Sequence, residues 1–314
     1  GLSFSSTHFP VQFRPSLGKA SALALGFLTG KSYRADPAVA AAASECLACL
    51  CKASGKKSYI DSWNENALLC AGTLIHALNQ LTECIGASEH TDLPHFNLLP
   101  QLDDPARRFP ELVDLVASMS QLMTSLLKYP TTQPVNVPID LILYSIQRIS
   151  LINDGCMPLG DKTEFNLLML MSGRLYCIAL RLTLALAISL RTHLAPYLST
   201  VANAVFLIHA NTTNRVEARI TAYRAIGMLL KSYGFSFATF IPQSFYARLV
   251  EDSRIQDALE TVYSEPKSAA STSVKKRGKR GRATNNNSSG MDIIGAGNLL
   301  SMLKFSNLSL EAIQ

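Results

Sequence analysis

Helical periodicity recurs along almost the whole chain and constrains its fold more than any other feature. In residues 109–130, FPELVDLVASMSQLMTSLLKYP, apolar side chains recur at intervals of three and four residues from Leu112 to Leu126. This spacing places them on one face of an α-helix, which must be buried against another element. The stretch VPIDLILYSIQRIS at 137–150 has the same pattern. Because we find no alternating β-branched run between Asn-Gly or Asp-Gly turns, the sequence predicts an all-α fold.

Proline marks the start of several predicted helices, because the first residue of a helix needs no backbone N–H donor. Pro15, Pro110 and Pro138 each stand immediately before an apolar pattern of this kind. About nine helices are expected, and the remaining ones span 37–53, 63–85, 164–191, 195–209, 214–233 and 243–263. Their uneven lengths, without a clean repeat signature, predict an irregular HEAT/armadillo-like helical-repeat solenoid, and a closed helical bundle is the alternative.

The two longest breaks in the periodicity, residues 86–108 and 152–163, predict surface loops. Asp103 and Asp104 lie in the first break, directly before Pro105. Adjacent carboxylates before a proline are typical of a turn and a helix cap, so we do not interpret them as a general acid–base pair.

The composition changes after Tyr263 and divides the chain into three parts. Residues 1–263 carry the helical patterns and predict one helical-repeat domain. Residues 264–290 are dominated by Ser, Lys, Asn, Gly and Thr, which cannot build a core, so a disordered basic linker is expected. Residues 291–314 form a short apolar tail that fits either a small helix packed on the domain or a partner-binding segment.

A basic run lies within the predicted linker. Six of eight successive positions are basic: Lys275, Lys276, Arg277, Lys279, Arg280 and Arg282. The other 23 Lys and Arg equal the 23 Asp and Glu, so the rest of the chain is formally neutral. A nucleic-acid-binding surface usually spreads its basic residues over a folded face, whereas a compact cluster with Gly, Ser and Asn flanks is typical of a nuclear-import signal for an importin. Import is therefore favoured over direct nucleic-acid binding, with which it is compatible.

A second basic candidate lies on one predicted helix, where Arg215, Arg219, Arg224 and Lys231 recur and Glu217 interrupts them. A solvated outer face explains such charges more simply than a binding ridge does.

Residues 165–194 are apolar enough to be mistaken for a membrane span. The longest stretches without a charge are nine residues, 165–173 and 182–190, and Arg174 and Arg181 separate them. A membrane helix requires about 20 apolar residues, and an arginine near its centre is costly. The sequence therefore predicts a core helix of a helical array and no membrane association.

Candidates for metal binding and catalysis are weak. Cys46, Cys49 and Cys51 lie close together, but zinc requires four ligands, and we find neither a second CxxC pair nor a pair of histidines to complete the set. In an alanine-rich helix these thiols are expected to be small core side chains. The sequence contains no GxSxG, P-loop or HExxH motif, so we expect neither enzymatic activity nor a cofactor.

Two parts of the chain resemble the Rix-type pre-ribosomal-RNA processing proteins, a family whose animal relative is the proline-, glutamate- and leucine-rich protein. The first combines FPVQFRPSLGKASALALGFL at 9–28 with GKKSYIDSWNENALLCAGTLIHAL at 55–78. The second joins FPELVDLVASMSQLMTSLL at 109–127 to PVNVPIDLILYSIQRISLI at 134–152, and resembles the family's hydrophobic helix, V-x-V-P turn and helix with Arg near its end. The motifs match in order and spacing over residues 9–245.

The resemblance implies a non-catalytic helical-repeat scaffold of a nuclear complex, found in the nucleolus and nucleoplasm. The implied partners are a WD-repeat protein, a second helical-repeat protein and a dynein-like AAA ATPase, which act together on the pre-60S precursor of the large ribosomal subunit. The complex supports removal of the internal spacer from the precursor RNA, and its members tend to form homodimers. The alternative function is that of an RNA- or chromatin-binding nuclear protein that acts through its basic tail.

Seven positions carry over from the family's motifs. Their residue types predict structural roles as helix starts, core side chains and inter-helix contacts, and we assign no partner contact to them. These positions are Phe13, Arg14, Pro15, Trp63, Val137, Pro138 and Arg148.

Overall fold

The computed structural model of the chain describes residue 8 and residues 10–29, 37–53, 59–87, 92–100, 102–129 and 134–264. Every regular element within these ranges is helical, which confirms the predicted all-α class. The α-helices are α1 (Pro10–Phe13), α2 (Leu17–Leu28), α3 (Pro37–Leu50), α4 (Tyr59–Thr82), α5 (Pro105–Lys128), α6 (Ile139–Leu151), α7 (Lys162–Leu190), α8 (Leu198–Ala210), α9 (Val216–Tyr233), α10 (Phe235–Ala238) and α11 (Gln243–Ser264). Short 3-10 turns lie at Arg14–Ser16, Cys51–Ala53, Glu83–Ile85 and Arg191–Tyr197.

The chain divides into two compact units, residues 1–241 and residues 242–314. The first unit contains α1 to α10. The second begins with α11, in which the rings of Phe245 and Tyr246 meet edge to face with centroids 5.9 Å apart. From residue 265 onward, the predicted linker and apolar tail lie outside the described residues.

The start of α5 corrects one sequence prediction. Asp104 caps this helix, since its side chain accepts a hydrogen bond of 3.0 Å from the N–H of Ala106, and Pro105 lies in the first turn. Pro110, the predicted first residue, instead lies inside α5, more than one turn later. A proline inside a helix removes one backbone hydrogen bond, because it has no N–H. The helix begins at Asp104 because the side chain of this residue pairs with a free N–H of the first turn, which a proline cannot do. The predicted loop 86–108 accordingly ends at Asp104.

Helices that are neighbours in sequence pack against each other within the first unit. α2 packs on α3, α4 on α5, α6 on α7, and α8 on α9. A second set of contacts joins alternate helices: α3 contacts α5, α5 contacts α7, and α7 contacts α9, while α4 contacts α6 and α6 contacts α8. The helices α3 to α9 therefore form two rows, and each row is built from alternate helices of the chain.

The apolar face of α5 forms the centre of the core between the rows. Leu112, Met119 and Leu122 are at most 1% exposed. Full burial of a side chain of this size contributes about 1.5–3 kcal/mol to folding. Polar side chains at the same helix contacts pair with each other, as Ser44 of α3 and Ser125 of α5 do at 2.9 Å between their hydroxyl oxygens.

The long apolar segment of the sequence forms α7 and the beginning of the 3-10 turn after it. By length and composition alone, Lys162–Ala210 is apolar enough to cross a membrane, but 61% of the 18-residue stretch that meets this criterion is buried inside the protein. α7 packs against α5, α6 and α9, and it exposes Arg174 and Arg181. This burial agrees with the interpretation of the segment as a core helix.

A short extended segment, residues 92–96, crosses the surface of α4, and we call it the strap. The N–H of Phe96 donates a hydrogen bond of 2.8 Å to the hydroxyl of Thr73, and the ring of His76 lies 3.3 Å from the carbonyl oxygen of Leu93. The strap approaches so closely at Gly72 that a Cβ atom there would lie 2.1 Å from the backbone oxygen of Pro94. The interior glycine of α4 is therefore required by this crossing, since any larger residue displaces the strap.

We expect Gly72→Ala to release the strap. The substitution should lower the free energy of unfolding by about 1–3 kcal/mol through steric overlap, partly offset by the higher helix propensity of alanine. Urea denaturation measures this loss, and hydrogen exchange should show faster exchange at the N–H of Phe96. Gly227→Ala in α9 is the matched control, because nothing lies within 4 Å of a Cβ atom there, so it should be neutral or stabilising. Equal effects of the two substitutions would contradict the role of Gly72.

Candidate functional site

The tryptophan of the first family-like motif lies between α4 and α5. Trp63 is 1% exposed, and its indole N–H donates a hydrogen bond of 3.3 Å to the backbone oxygen of Leu126. The bond satisfies the only polar atom of a large buried side chain. Trp63 thereby fixes the beginning of α4 against the end of α5.

The V-x-V-P turn of the second motif docks beside this tryptophan. The N–H of Asn136 donates a hydrogen bond of 3.0 Å to the side-chain oxygen of Asn64, which follows Trp63 in the chain. Pro138 then stands at the N-cap of α6, and its carbonyl accepts a hydrogen bond of 3.1 Å from the N–H of Ile142. The carbonyl of Val137 accepts a hydrogen bond of 2.8 Å from the N–H of the first α6 residue. The structure thus brings the two motifs together at the α4–α6 contact.

Arg148 is a buried cation at the other end of the same helix contact. It is 7% exposed and donates to the hydroxyls of Thr82, at 2.6 Å, and Tyr144, at 2.8 Å. Neither partner is acidic, and no ion pair among the described residues includes Arg148. Thr82 is the last residue of α4, where the helix dipole concentrates negative charge. The dipole and the two hydroxyl groups therefore stabilise this guanidinium in place of a carboxylate.

The remaining motif residues lie elsewhere. Phe13 is the last residue of α1, and α1 packs near the turn Cys51–Ala53. Arg14 and Pro15 lie in the 3-10 turn after α1, where both are exposed. All six basic residues of the predicted import signal, Lys275 to Arg282, lie outside the described residues.

The cysteines that suggested a metal site are buried. Cys46, Cys49 and Cys51 are at most 7% exposed, and in the described part of the chain no group of three or more His, Cys, Asp or Glu residues could hold a metal ion. Burial raises the pKa of Cys51 to about 11 and that of Cys70 to about 12, so both thiols are protonated near neutral pH. The Cys70 thiol donates to the backbone oxygen of Met119 at 3.0 Å. Cys51 and Cys70 therefore act as packing groups and not as thiolate nucleophiles.

The prediction that the four basic residues of the α9 segment form a solvated outer face is wrong for Arg215 and Arg219. Arg219 donates to the carbonyls of Thr212 and Thr213 in the turn after α8, at 3.3 Å and 2.5 Å. Arg215 donates to the carbonyl of Asn211 at 2.9 Å and to Asp154 at 3.0 Å. Because the carbonyls at the C-terminal end of a helix lack intrahelical partners, Arg215 caps α8 at its C-cap residue Asn211, and Arg219 fixes the turn that follows α8.

Arg215 also lies at a polar junction that the sequence did not indicate. Its guanidinium packs over the ring of Tyr176 at 5.6 Å, and the hydroxyl of Tyr176 donates to the carbonyl of Ile152. Burial raises the pKa of Tyr176 to about 12, which the guanidinium partly opposes. The aliphatic part of Arg215 crosses Gly173, where a Cβ atom would lie 3.2 Å from its Cδ. An interior glycine in an otherwise strong helix pattern was the one sequence signal for this crossing.

We expect Arg148→Ala to destabilise the protein strongly. It leaves a cavity and removes two hydrogen bonds at the α4–α6 contact, which together should lower the free energy of unfolding by about 2–4 kcal/mol. Arg174→Ala is the matched control, since Arg174 pairs with Asp114 at 2.7 Å on a surface where both side chains are more than half exposed. The control should cost less than about 1 kcal/mol. Urea denaturation compares the two, and an equal loss would refute the structural role of Arg148.

Comparison with protein-family models finds no match to this chain, and comparison with curated proteins finds none either.

Proposed function

We propose that this chain is a non-catalytic scaffold subunit of a nuclear complex that acts in assembly of the large ribosomal subunit and in processing of the precursor RNA's internal spacer. Its role would be to bridge a WD-repeat protein, a second helical-repeat protein and a dynein-like AAA ATPase on the pre-60S particle, in the nucleolus and nucleoplasm. The family-like motifs support this proposal, because their order and spacing run through most of the first unit.

The packing of alternate helices is the observation that carries the scaffold role. We infer an irregular HEAT/armadillo-like solenoid, because each helix from α3 to α8 contacts the helix after next and α4, α6 and α8 each pack on their successors. In a solenoid of this kind the two rows present long outer faces, which are suited to several protein partners at once. The contacts between Trp63 and Leu126 and between Asn136 and Asn64 would fix successive repeats.

The chemistry of the described part of the chain also fits a binding protein. The titratable groups with clearly shifted pKa values are cysteines and tyrosines, and burial raises every one of these values. A cysteine or tyrosine that acts as a nucleophile or general base would require a lowered pKa, because its deprotonated form is the reactive one. The six-residue basic run would provide nuclear import through an importin, and a homodimer is a further expectation from the resemblance.

The alternative is an RNA- or chromatin-binding nuclear protein that acts through the basic run. Six cations in eight positions favour it, because such a cluster binds phosphates without regard to sequence.

One experiment distinguishes the scaffold from this alternative. All six basic residues, Lys275 to Arg282, are replaced by alanine in the full chain, and a foreign import signal is attached. We expect this variant to purify from nuclear extract with the WD-repeat partner and pre-60S particles at the level of the unchanged chain carrying the same signal. Cross-linking mass spectrometry should then place the partner cross-links on α3 to α9.

Loss of particle binding despite nuclear delivery would support the alternative. Failure of the unchanged chain to purify with any WD-repeat protein or large-subunit precursor would refute the scaffold proposal.

A further inference from the structure

Charge is distributed very unevenly along the folded body, although its total is balanced. Residues 165–242 contain a single acidic residue, Glu217, and seven basic ones: Arg174, Arg181, Arg191, Arg215, Arg219, Arg224 and Lys231. Residues 59–164 contain thirteen acidic residues and five basic ones. Residues 165–242 therefore carry strong net positive charge, and residues 59–164, immediately before them in the chain, carry net negative charge.

Four of the seven basic side chains already form hydrogen bonds or ion pairs with other groups of the protein. Arg215 and Arg219 bind backbone carbonyls, Arg174 pairs with Asp114 at 2.7 Å, and Arg181 lies 3.6 Å from Glu217. Three others, Arg191, Arg224 and Lys231, are exposed and take part in no ion pair among the described residues. Their charges are available to a ligand.

Of the three available cations, Arg191 and Lys231 lie at one end of the α7–α9 helix pair, and Arg224 lies two turns before Lys231 on α9. The thiol of Cys177 lies 4.0 Å from the hydroxyl of Thr221, and the hydroxyl of Tyr233 donates to the carbonyl of Arg191 at 2.8 Å. In both pairs the higher residue number near α7 goes with the higher residue number on α9. The two helices are therefore parallel, and their C-terminal ends lie side by side. Arg224 and Lys231 are seven residues apart on α9, which places them on one face about 10 Å from each other.

An exposed aromatic ring lies at the same end. Phe235 directly follows Gly234, whose φ of 53° and ψ of −128° turn the chain at the end of α9, and its side chain is 84% exposed. A phenylalanine with this exposure contributes little to the core, whereas an open ring on a positively charged part of the protein offers a surface on which an unpaired base can stack.

The backbone of Arg191 supports a binding role at this end. Its φ of 46° is the single positive value among the described residues other than glycine. Such a conformation costs of the order of 1–3 kcal/mol and persists where the surrounding structure imposes it, often at binding sites. The bond from Tyr233 to its carbonyl is one contact that holds it.

We propose that Arg191, Arg224, Lys231 and Phe235, which we call the α7–α9 tip, bind single-stranded nucleic acid. The three cations contact phosphates, and a base stacks on the ring of Phe235. An exposed, unpaired base is what a single strand offers and a duplex does not, so the aromatic ring favours a single strand. The negative charge of residues 59–164 repels the phosphate backbone from that part of the chain. This site is separate from the scaffold role and from the basic run.

The test measures binding of fluorescently labelled rU12, dT12 and a duplex of the same length to the full chain by anisotropy, between 50 and 200 mM salt. To remove the contribution of the basic run, the six-alanine variant is the reference. We expect it to bind rU12 and dT12 about equally and the duplex more weakly.

Arg224→Glu with Lys231→Glu should weaken binding by roughly tenfold or more and reduce the salt slope by about 1.4, since each phosphate contact on a single strand contributes about 0.7. Phe235→Ala should weaken binding by roughly tenfold and leave the salt slope unchanged, because stacking involves no counterion.

Arg107→Glu with Lys128→Glu is the matched control. These residues are exposed basic side chains in the acidic part of the chain, and their reversal changes the net charge equally. The control should leave the affinity within about twofold. Urea denaturation confirms that each variant is folded.

An equal loss in the control would overturn the proposal, since net charge alone would then explain binding. Absence of binding by the six-alanine variant, or no effect of Phe235→Ala, would overturn it as well. Each of these results leaves the scaffold role untouched, because none involves its protein partners.

Discussion

Burial of one apolar stripe per helix is the constraint on which the rest of this structure depends. No single helix of the first unit can bury its own stripe, so α5 packs against α3, α4 and α7 at the same time, and α7 against α5, α6 and α9. Polar groups caught in these contacts must then be satisfied within the protein. The indole of Trp63 uses a carbonyl of α5, and the guanidinium of Arg148 uses two hydroxyls, one of them at the end of α4. The helix contacts thus determine where buried polar side chains can lie.

The same constraint separates the residues that maintain the fold from those that can meet partners. Trp63 and Arg148, which carry much of the resemblance to the Rix-type proteins, are nearly or completely buried. Because the packing of the helices determines which residue types fit at such positions, a resemblance based on them bears on the fold. Partner recognition depends on exposed side chains, for which these motifs give no information. The scaffold proposal therefore requires binding experiments in addition to the resemblance.

Exposed charge is the feature that distinguishes one surface of the body from another. With the apolar stripes buried, the acidic residues of 59–164 and the basic residues of 165–242 give these two consecutive parts of the chain opposite net charge. Attraction between the two parts is limited to contacts such as Arg174 with Asp114 and Arg215 with Asp154. Beyond these contacts, a basic protein segment would be drawn to one surface and a nucleic-acid strand to the other.

The sequence by itself determined the helical class and the approximate limits of most helices, because periodicity, caps and prolines act within a few residues along the chain. It did not determine the start of α5, where the cap at Asp104 outweighed the later proline. It also did not determine why α4 and α7 contain Gly72 and Gly173, since the strap and the side chain of Arg215 reach them from distant parts of the chain. The seven cations of 165–242 could be counted in the sequence, but only the tertiary structure decided that three remain available. Whether a basic side chain remains available depends on which carbonyls and carboxylates the packed helices bring within reach of it.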